Sequence, residues 1–94
     1  MGSRIIQECN VHIGEEAELL LPKDAPIGPL FSIPNGCRFW VEIDEDLERV
    51  PRRFILDRPG WLYPASKKDI YRGTVVPSEL LDKTCGFHLF ELKE

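Results

Sequence analysis

Apolar residues recur at every second position along much of the chain, which is the pattern of strands that bury one face. The clearest example covers residues 37–44, where the odd-numbered residues are apolar and the even-numbered ones, apart from Trp40, are charged. Eight prolines, spread from Pro22 to Pro77, leave few windows where a helix of about 10 residues could form. The pattern therefore predicts a chain built mostly of β-strands.

A turn signal stands directly before this strand. Pro34-Asn35-Gly36 supplies residues that tolerate positive φ, so we expect residues 30–33 and 37–43 to form the two arms of a hairpin. Residues 4–13 and 17–21 show the same alternation and predict two further strands. Because only a short turn at Gly14 separates them, these two strands are candidates for a second hairpin.

Three more strands are expected in the second half of the chain. Residues 50–57 have mixed periodicity, residues 70–76 follow a long loop, and residues 87–92 are apolar on both faces, which predicts a central position for the last strand. Residues 77–81 fit one helical turn, with Ser78 as its N-cap.

Six or seven short strands in one layer cannot cover both of their faces, so the sheet must pack on itself. The sequence thus predicts an all-β fold, a small antiparallel sandwich or partly open barrel. Trp40 and Phe90 fall on the faces opposite the apolar stripes, which favours a homodimer or higher oligomer. The expected core comprises Phe39, Val41, Ile43, Phe54, Val75, Phe87 and Leu89.

Composition narrows the class of protein. The 94 residues suit a single domain, and a net charge of −4 argues against non-specific binding of nucleic acid. No apolar run approaches the roughly 18 residues of a membrane span. Three cysteines, an odd number, and the lack of a secretion signal predict a reducing cytoplasm.

Candidate catalytic and metal-binding groups are few. Cys9-x-x-His12 and Cys85-x-x-His88 have ligand types that zinc prefers, but residues three apart on a strand point to opposite faces. With only two histidines and no phosphate-binding glycine loop, the sequence predicts a protein that is not an enzyme and needs no metal or cofactor.

Most of the basic charge lies in residues 49–72, interleaved with aromatic residues. Guanidinium groups suit phosphate and flat rings stack on bases, so the segment fits a small anionic, nucleotide-like ligand at a subunit junction. The opposite interpretation is that the arginines balance acidic neighbours and that Trp61 anchors the loop to the core. The predicted ligand-binding residues are Arg58, Trp61, Tyr63, Lys67 and Tyr71.

The order of several short motifs resembles that of a family of short, uncharacterised phage and prophage proteins. The motifs are Asn35-Gly36, Phe39-Trp40-Val41, Tyr71-x-Gly73-Thr74 and Phe87-His88-Leu89-Phe90-Glu91. The resemblance implies an accessory protein of the host bacterial cytoplasm that acts by binding. Its expected role is counter-defence, either by sequestering a nucleotide-derived signal or by inhibiting a host defence protein. The alternative is a structural accessory of the virion or of packaging.

Overall fold

The computed structural model describes residues 3–57, 69–76 and 86–93, which form seven strands in two antiparallel sheets. The strands are β1 (Arg4–His12), β2 (Glu16–Pro22), β3 (Phe31–Ile33), β4 (Gly36–Asp44), β5 (Arg49–Asp57), β6 (Ile70–Val75) and β7 (Phe87–Leu92). One sheet has the order β1-β4-β3 and the other β2-β5-β7-β6. The prediction of a small all-β sandwich is confirmed, and the sheets do not close into a barrel.

The core lies between the inner faces of the two sheets. Phe39 from the three-stranded sheet and Phe54 from the four-stranded sheet meet there, with ring centroids 5.7 Å apart. Of the seven predicted core residues, six are buried and Phe87 is partly buried against them. Cys9, Val11, Leu21, Cys37 and Leu56 complete the buried apolar set. The described residues contain no helix of a kind that spans a membrane, and the predicted helical turn at 77–81 lies outside them.

The hairpin between β3 and β4 forms as predicted. Ile33 pairs with Gly36 across the turn, and Asn35 adopts φ 60°, a conformation that Asn and Gly accept most readily. Gly36 is needed for a different reason. A Cβ atom at Gly36 would lie only 2.4 Å from the backbone oxygen of Val11 on the neighbouring strand.

The predicted hairpin between β1 and β2 is wrong. β1 pairs along its whole length with β4, whereas β2 pairs with β5 in the other sheet. Gly14, at φ 79°, turns the chain so that the apolar faces of β1 and β2 lie in different layers of the sandwich. A parallel bridge between Ile13 and Leu56 joins the sheets at this corner. Alternation specifies which face of a strand is buried but leaves its partner open.

The mixed periodicity of β5 has a simple cause. Arg52, Phe54 and Leu56 all lie on the buried face, so a charged residue occupies a position where alternation predicts an apolar one. β7 lies between β5 and β6, which confirms the predicted central position. Its inner face carries Leu89 and also the fully buried Glu91.

The close approach at Gly36 generates a stability prediction. We expect Gly36→Ala to lower the free energy of unfolding by about 2 kcal/mol or more, because the Val11 backbone must move to admit the methyl group. Asn35→Gly is the matched control in the same turn and should change it by less than about 1 kcal/mol, since glycine accepts positive φ. Urea denaturation of both variants measures the difference, and equal midpoints would contradict the steric account.

Candidate functional site

The region around β6 and β7 contains the one predicted ligand-binding residue that the structure describes, Tyr71. The other four, Arg58, Trp61, Tyr63 and Lys67, lie outside the described residues. The last described residue before them, Asp57, pairs with His88 of β7. The first described residue after them, Asp69, accepts a hydrogen bond from the backbone N–H of Lys93, 2.9 Å away, just beyond the end of β7. The described residues on either side of residues 58–68 therefore both lie beside β7 or its end.

A β-bulge in β6 sets the direction of the side chains around Tyr71. Tyr71 pairs with Phe90, but the next residue of β7, Leu89, pairs with Gly73, so Arg72 is the extra residue. Gly73 has φ 147°, a conformation that favours glycine. Because the bulge shifts the alternation by one residue, Val75 is buried while Tyr71 and Thr74 both lie on the outer face.

The outer face of β6 and β7 carries a row of aromatic and hydrogen-bonding side chains, which we call the Tyr71 face: Tyr71, Thr74, His88 and Phe90. The Tyr71 ring packs against Phe90 at a centroid distance of 5.6 Å and against His88 at 6.2 Å. Its hydroxyl group is hydrogen-bonded to Thr74, whose Oγ1 lies 2.8 Å from His88 Nδ1. These contacts fix the ring, yet 55% of Tyr71 stays exposed.

This face can bind a flat ring but offers little fixed charge. An exposed tyrosine ring held by its neighbours presents a surface for stacking, and the hydroxyl group and imidazole beside it provide donors and acceptors for a polar edge. The nearby Arg53 forms an ion pair with Glu16 at 3.0 Å. The positive charge needed to bind an anionic ligand must therefore come largely from residues outside the Tyr71 face.

A cluster of charged side chains occupies the inner side of the same strands. Glu91 of β7 is fully buried and accepts two hydrogen bonds of 2.8 Å from Arg52, which is also buried. Arg72 donates to the same carboxylate at 2.6 and 3.0 Å, and Lys93 donates at 2.9 Å. We call these four residues the Glu91 cluster. Arg72 points inward to Glu91 and its neighbour Tyr71 points outward, as adjacent residues of a strand do.

The Glu91 cluster also holds the connection between β2 and β3. Arg52 Nη1 donates to the backbone oxygens of Pro22 and Ala25, each at 2.9 Å. Leu30 of the same connection lies close to Gly73, where a Cβ atom would come within 3.1 Å of it. This connection therefore packs against the β5, β6 and β7 end of the four-stranded sheet.

The three neighbouring cationic side chains determine the pKa of Glu91. Burial by itself raises the pKa of a carboxyl group, but hydrogen bonds from Arg52, Lys93 and Arg72 outweigh it and lower the pKa of Glu91 to about 2 from 4.5. The folded-state pKa is thus below the unfolded one. The resulting stabilisation is present above about pH 4.5 and is lost as the pH falls toward 2.

The described arginines of residues 49–72 mostly have carboxylate partners. Arg52 and Arg72 bind Glu91, Arg53 binds Glu16, and Arg49 donates to the amide oxygen of Gln7. The interpretation that arginines of this segment balance acidic neighbours therefore applies to three of these four. Sequence reasoning missed Glu91, although a lone acidic residue that follows Leu89 and Phe90 and precedes Leu92 in an apolar strand was a usable signal.

Cys9 and His12 show the geometry expected of residues three apart on a strand. Cys9 is buried and His12 is exposed, on opposite faces of β1, and Cys85 lies outside the described residues. Residues 3–57, 69–76 and 86–93 contain no group of three His, Cys, Asp or Glu side chains arranged to hold a metal ion. Burial raises the pKa of the Cys37 thiol to about 11 and also raises that of Cys9. Both thiols are therefore poor nucleophiles at neutral pH.

The Glu91 cluster generates a prediction about two adjacent arginines. We expect Arg52→Ala to lower the free energy of unfolding by about 3 to 5 kcal/mol, because it removes the main partner of a buried carboxylate and frees two backbone carbonyls. Arg53→Ala is the matched control: its partially exposed ion pair with Glu16 should contribute no more than about 1 kcal/mol. Chemical denaturation of both variants at pH 7 measures the difference. Equal losses would show that the cluster is not a major stabilising element.

Comparison of the chain with protein-family models, with curated proteins and with solved structures found no match. The resemblance to phage proteins therefore stays an expectation from the sequence motifs.

Proposed function

We propose that this chain is a non-enzymatic binding protein whose ligand is a small nucleotide-like anion, with the base stacked on the Tyr71 face. The observation that carries the proposal is the exposed Tyr71 ring, which is held in place by Phe90, Thr74 and His88. A ring that is fixed before binding loses little conformational entropy when a base stacks on it. This favours recognition of a planar group.

Positive charge on the strands that carry the Tyr71 face supports an anionic ligand. Arg72 and Lys93, which bind Glu91 on the inner side of these strands, are only partly covered, with 26% and 37% of their side chains exposed. The sequence adds Arg58 and Lys67 in the segment that begins after Asp57 and ends before Asp69. Charge-assisted donors of this kind suit a phosphate group.

Binding fits the described chemistry better than catalysis. The two described cysteines are buried thiols with raised pKa values, and His88 Nδ1 is engaged by Thr74. A nucleophile would need a general base within hydrogen-bond reach and a third group that orients the base. The hydrogen-bonded row of Tyr71, Thr74 and His88 instead holds an aromatic surface in place.

The biological context of the proposal rests on the sequence resemblance to phage proteins. A protein that sequesters a nucleotide-derived signal would interfere with a bacterial defence pathway, which is the counter-defence role expected above. Inhibition of a host defence protein and a structural role in the virion or in packaging are the competing functions. Neither of these requires a response to nucleotides.

Thermal unfolding in the presence of AMP, adenosine or inorganic phosphate tests the proposal. We expect AMP at a large excess over its Kd to raise the Tm by several degrees, because a ligand that binds only the folded state stabilises it. Adenosine and phosphate, each carrying half of the recognised groups, should raise it less. Tyr71→Ala should weaken AMP binding about tenfold, since stacking on an aromatic ring contributes roughly 1 to 3 kcal/mol.

Phe31→Ala provides the matched control. Phe31 is a similarly exposed aromatic residue, but it packs on Trp40 in the other sheet, so its loss should leave AMP binding unchanged. The double variant Arg58→Ala/Lys67→Ala should abolish the stabilisation by AMP. The proposal is wrong if none of the three probes changes the Tm, or if Tyr71→Ala and Phe31→Ala have the same effect.

A further inference from the structure

Strand β1 forms an edge of the three-stranded sheet, and among the described residues its only partner strand is β4. Two adjacent isoleucines near the start of this strand are accessible: Ile6 is 71% exposed and Ile5 is 40% exposed. A long edge strand of this kind presents backbone N–H and C=O groups that can pair with a further strand. Proteins usually protect such edges, so the exposed isoleucines call for an explanation.

The hydrogen bonds of the sheet show which residues of β1 direct their backbone groups to the open edge. The N–H group of Gly28, which is not part of β1, donates to the carbonyl oxygen of Trp40 at 3.2 Å. The Trp40 carbonyl group therefore points away from β1. Glu8, which lies opposite Trp40, therefore belongs to a non-hydrogen-bonded pair of the β1–β4 ladder. At the end of the ladder, Glu45 N–H donates to the carbonyl of Ser3 at 2.9 Å, so odd-numbered residues face β4. Even-numbered residues of β1 thus face the edge.

We propose that β1 pairs antiparallel with β1 of a second copy of this chain, around a two-fold axis at Ile6. In this register Ile6 lies opposite Ile6 of the second copy, and Arg4 lies opposite Glu8 in both directions. All of these residues are even-numbered, so their backbone N–H and C=O groups point to the shared edge. The two three-stranded sheets then become one continuous sheet.

The charged residues Arg4 and Glu8 of β1 favour the register with the axis at Ile6. With the axis at Ile6, both cross-strand charge pairs are of opposite sign, and the most exposed isoleucine is covered by its counterpart. With the axis at Glu8, two like charges meet and Arg4 lies opposite His12. With the axis at Gln7, Ile6 lies opposite Glu8. The axis at Ile6 is the best of these three, and this self-complementarity points to a second copy as the occupant.

The ion pairs already present on the outer face are compatible with the dimer. Arg4 binds Glu42 at 3.1 Å and Glu8 binds Arg38 at 3.0 Å, and the side chains of both pairs are more than one third exposed. Each can therefore take part in a wider network with the charge of the second copy. The interface is in the sheet that does not contain β6 and β7, so the inference is independent of the proposed nucleotide binding.

Light scattering after size exclusion, with two charge-reversal variants, tests the dimer and its register. At about 100 µM the unmodified chain should elute with about twice the 10.8 kDa mass of one chain. Arg4→Glu places two glutamates opposite each other, and Glu8→Arg places two arginines opposite each other. Each variant alone should dimerise at least about tenfold more weakly, because two attractive pairs become repulsive.

An equimolar mixture of the two variants is the decisive sample. Opposite charges face each other again in the mixed dimer, so the mixture should recover the dimer mass that neither variant shows alone. The double variant Arg4→Glu/Glu8→Arg separates this effect from the ion pairs within one chain, since it breaks those pairs but restores the contacts between chains. A monomeric unmodified chain, unaffected single variants, or a mixture that stays monomeric would each overturn the proposal.

Discussion

A buried carboxylate with three cationic partners is the constraint on which much of this small structure depends. Glu91 is fully buried, so its charge is tolerable only because Arg52 meets it with two hydrogen bonds and Arg72 and Lys93 add others. These contacts join β5, β6 and β7, and Arg52 extends them to two backbone carbonyls after β2. Within the described residues, no buried side-chain nitrogen or oxygen lacks a hydrogen-bond partner. These hydrogen bonds allow a small sandwich to keep the Glu91 carboxylate in its interior.

The outer surface of these strands depends on the bulge in β6. Arg72 is the extra residue of the bulge and binds Glu91 on the inner side, and the bulge brings Tyr71 and Thr74 to the same outer face although they are three residues apart. The hydroxyl group of Tyr71 can then bind Thr74, and Thr74 can bind His88. The buried cluster and the exposed aromatic face therefore meet at this bulge, through Arg72 on one side and Tyr71 and Thr74 on the other.

Alternation of apolar and polar residues was enough to predict the strands, the β3–β4 hairpin and most of the core. It gave the wrong partner for β1, because period two specifies a buried face and leaves open whether the next strand lies beside it or in the opposite layer. The alternation could not assign Arg52 to the core, because a charged residue is expected to be exposed unless a buried partner for it is known. Glu91, 39 residues away in the chain, is that partner. Among the predicted ligand-binding residues, Tyr71 lies in the described part of the chain and is exposed on the outer face of β6.

The ionisation of Glu91 is the most direct test of this account. Carbon-13 NMR of the Glu91 side-chain carboxyl, followed between pH 7 and the acid unfolding transition, reports its pKa in the folded protein. Because three cationic donors favour the charged form, we predict a pKa of about 2, with stability declining as the pH falls below about 4.5. A carboxyl group that titrates near 4.5 in the folded protein, with stability independent of its protonation, would contradict the claim that the Glu91 cluster holds the structure together.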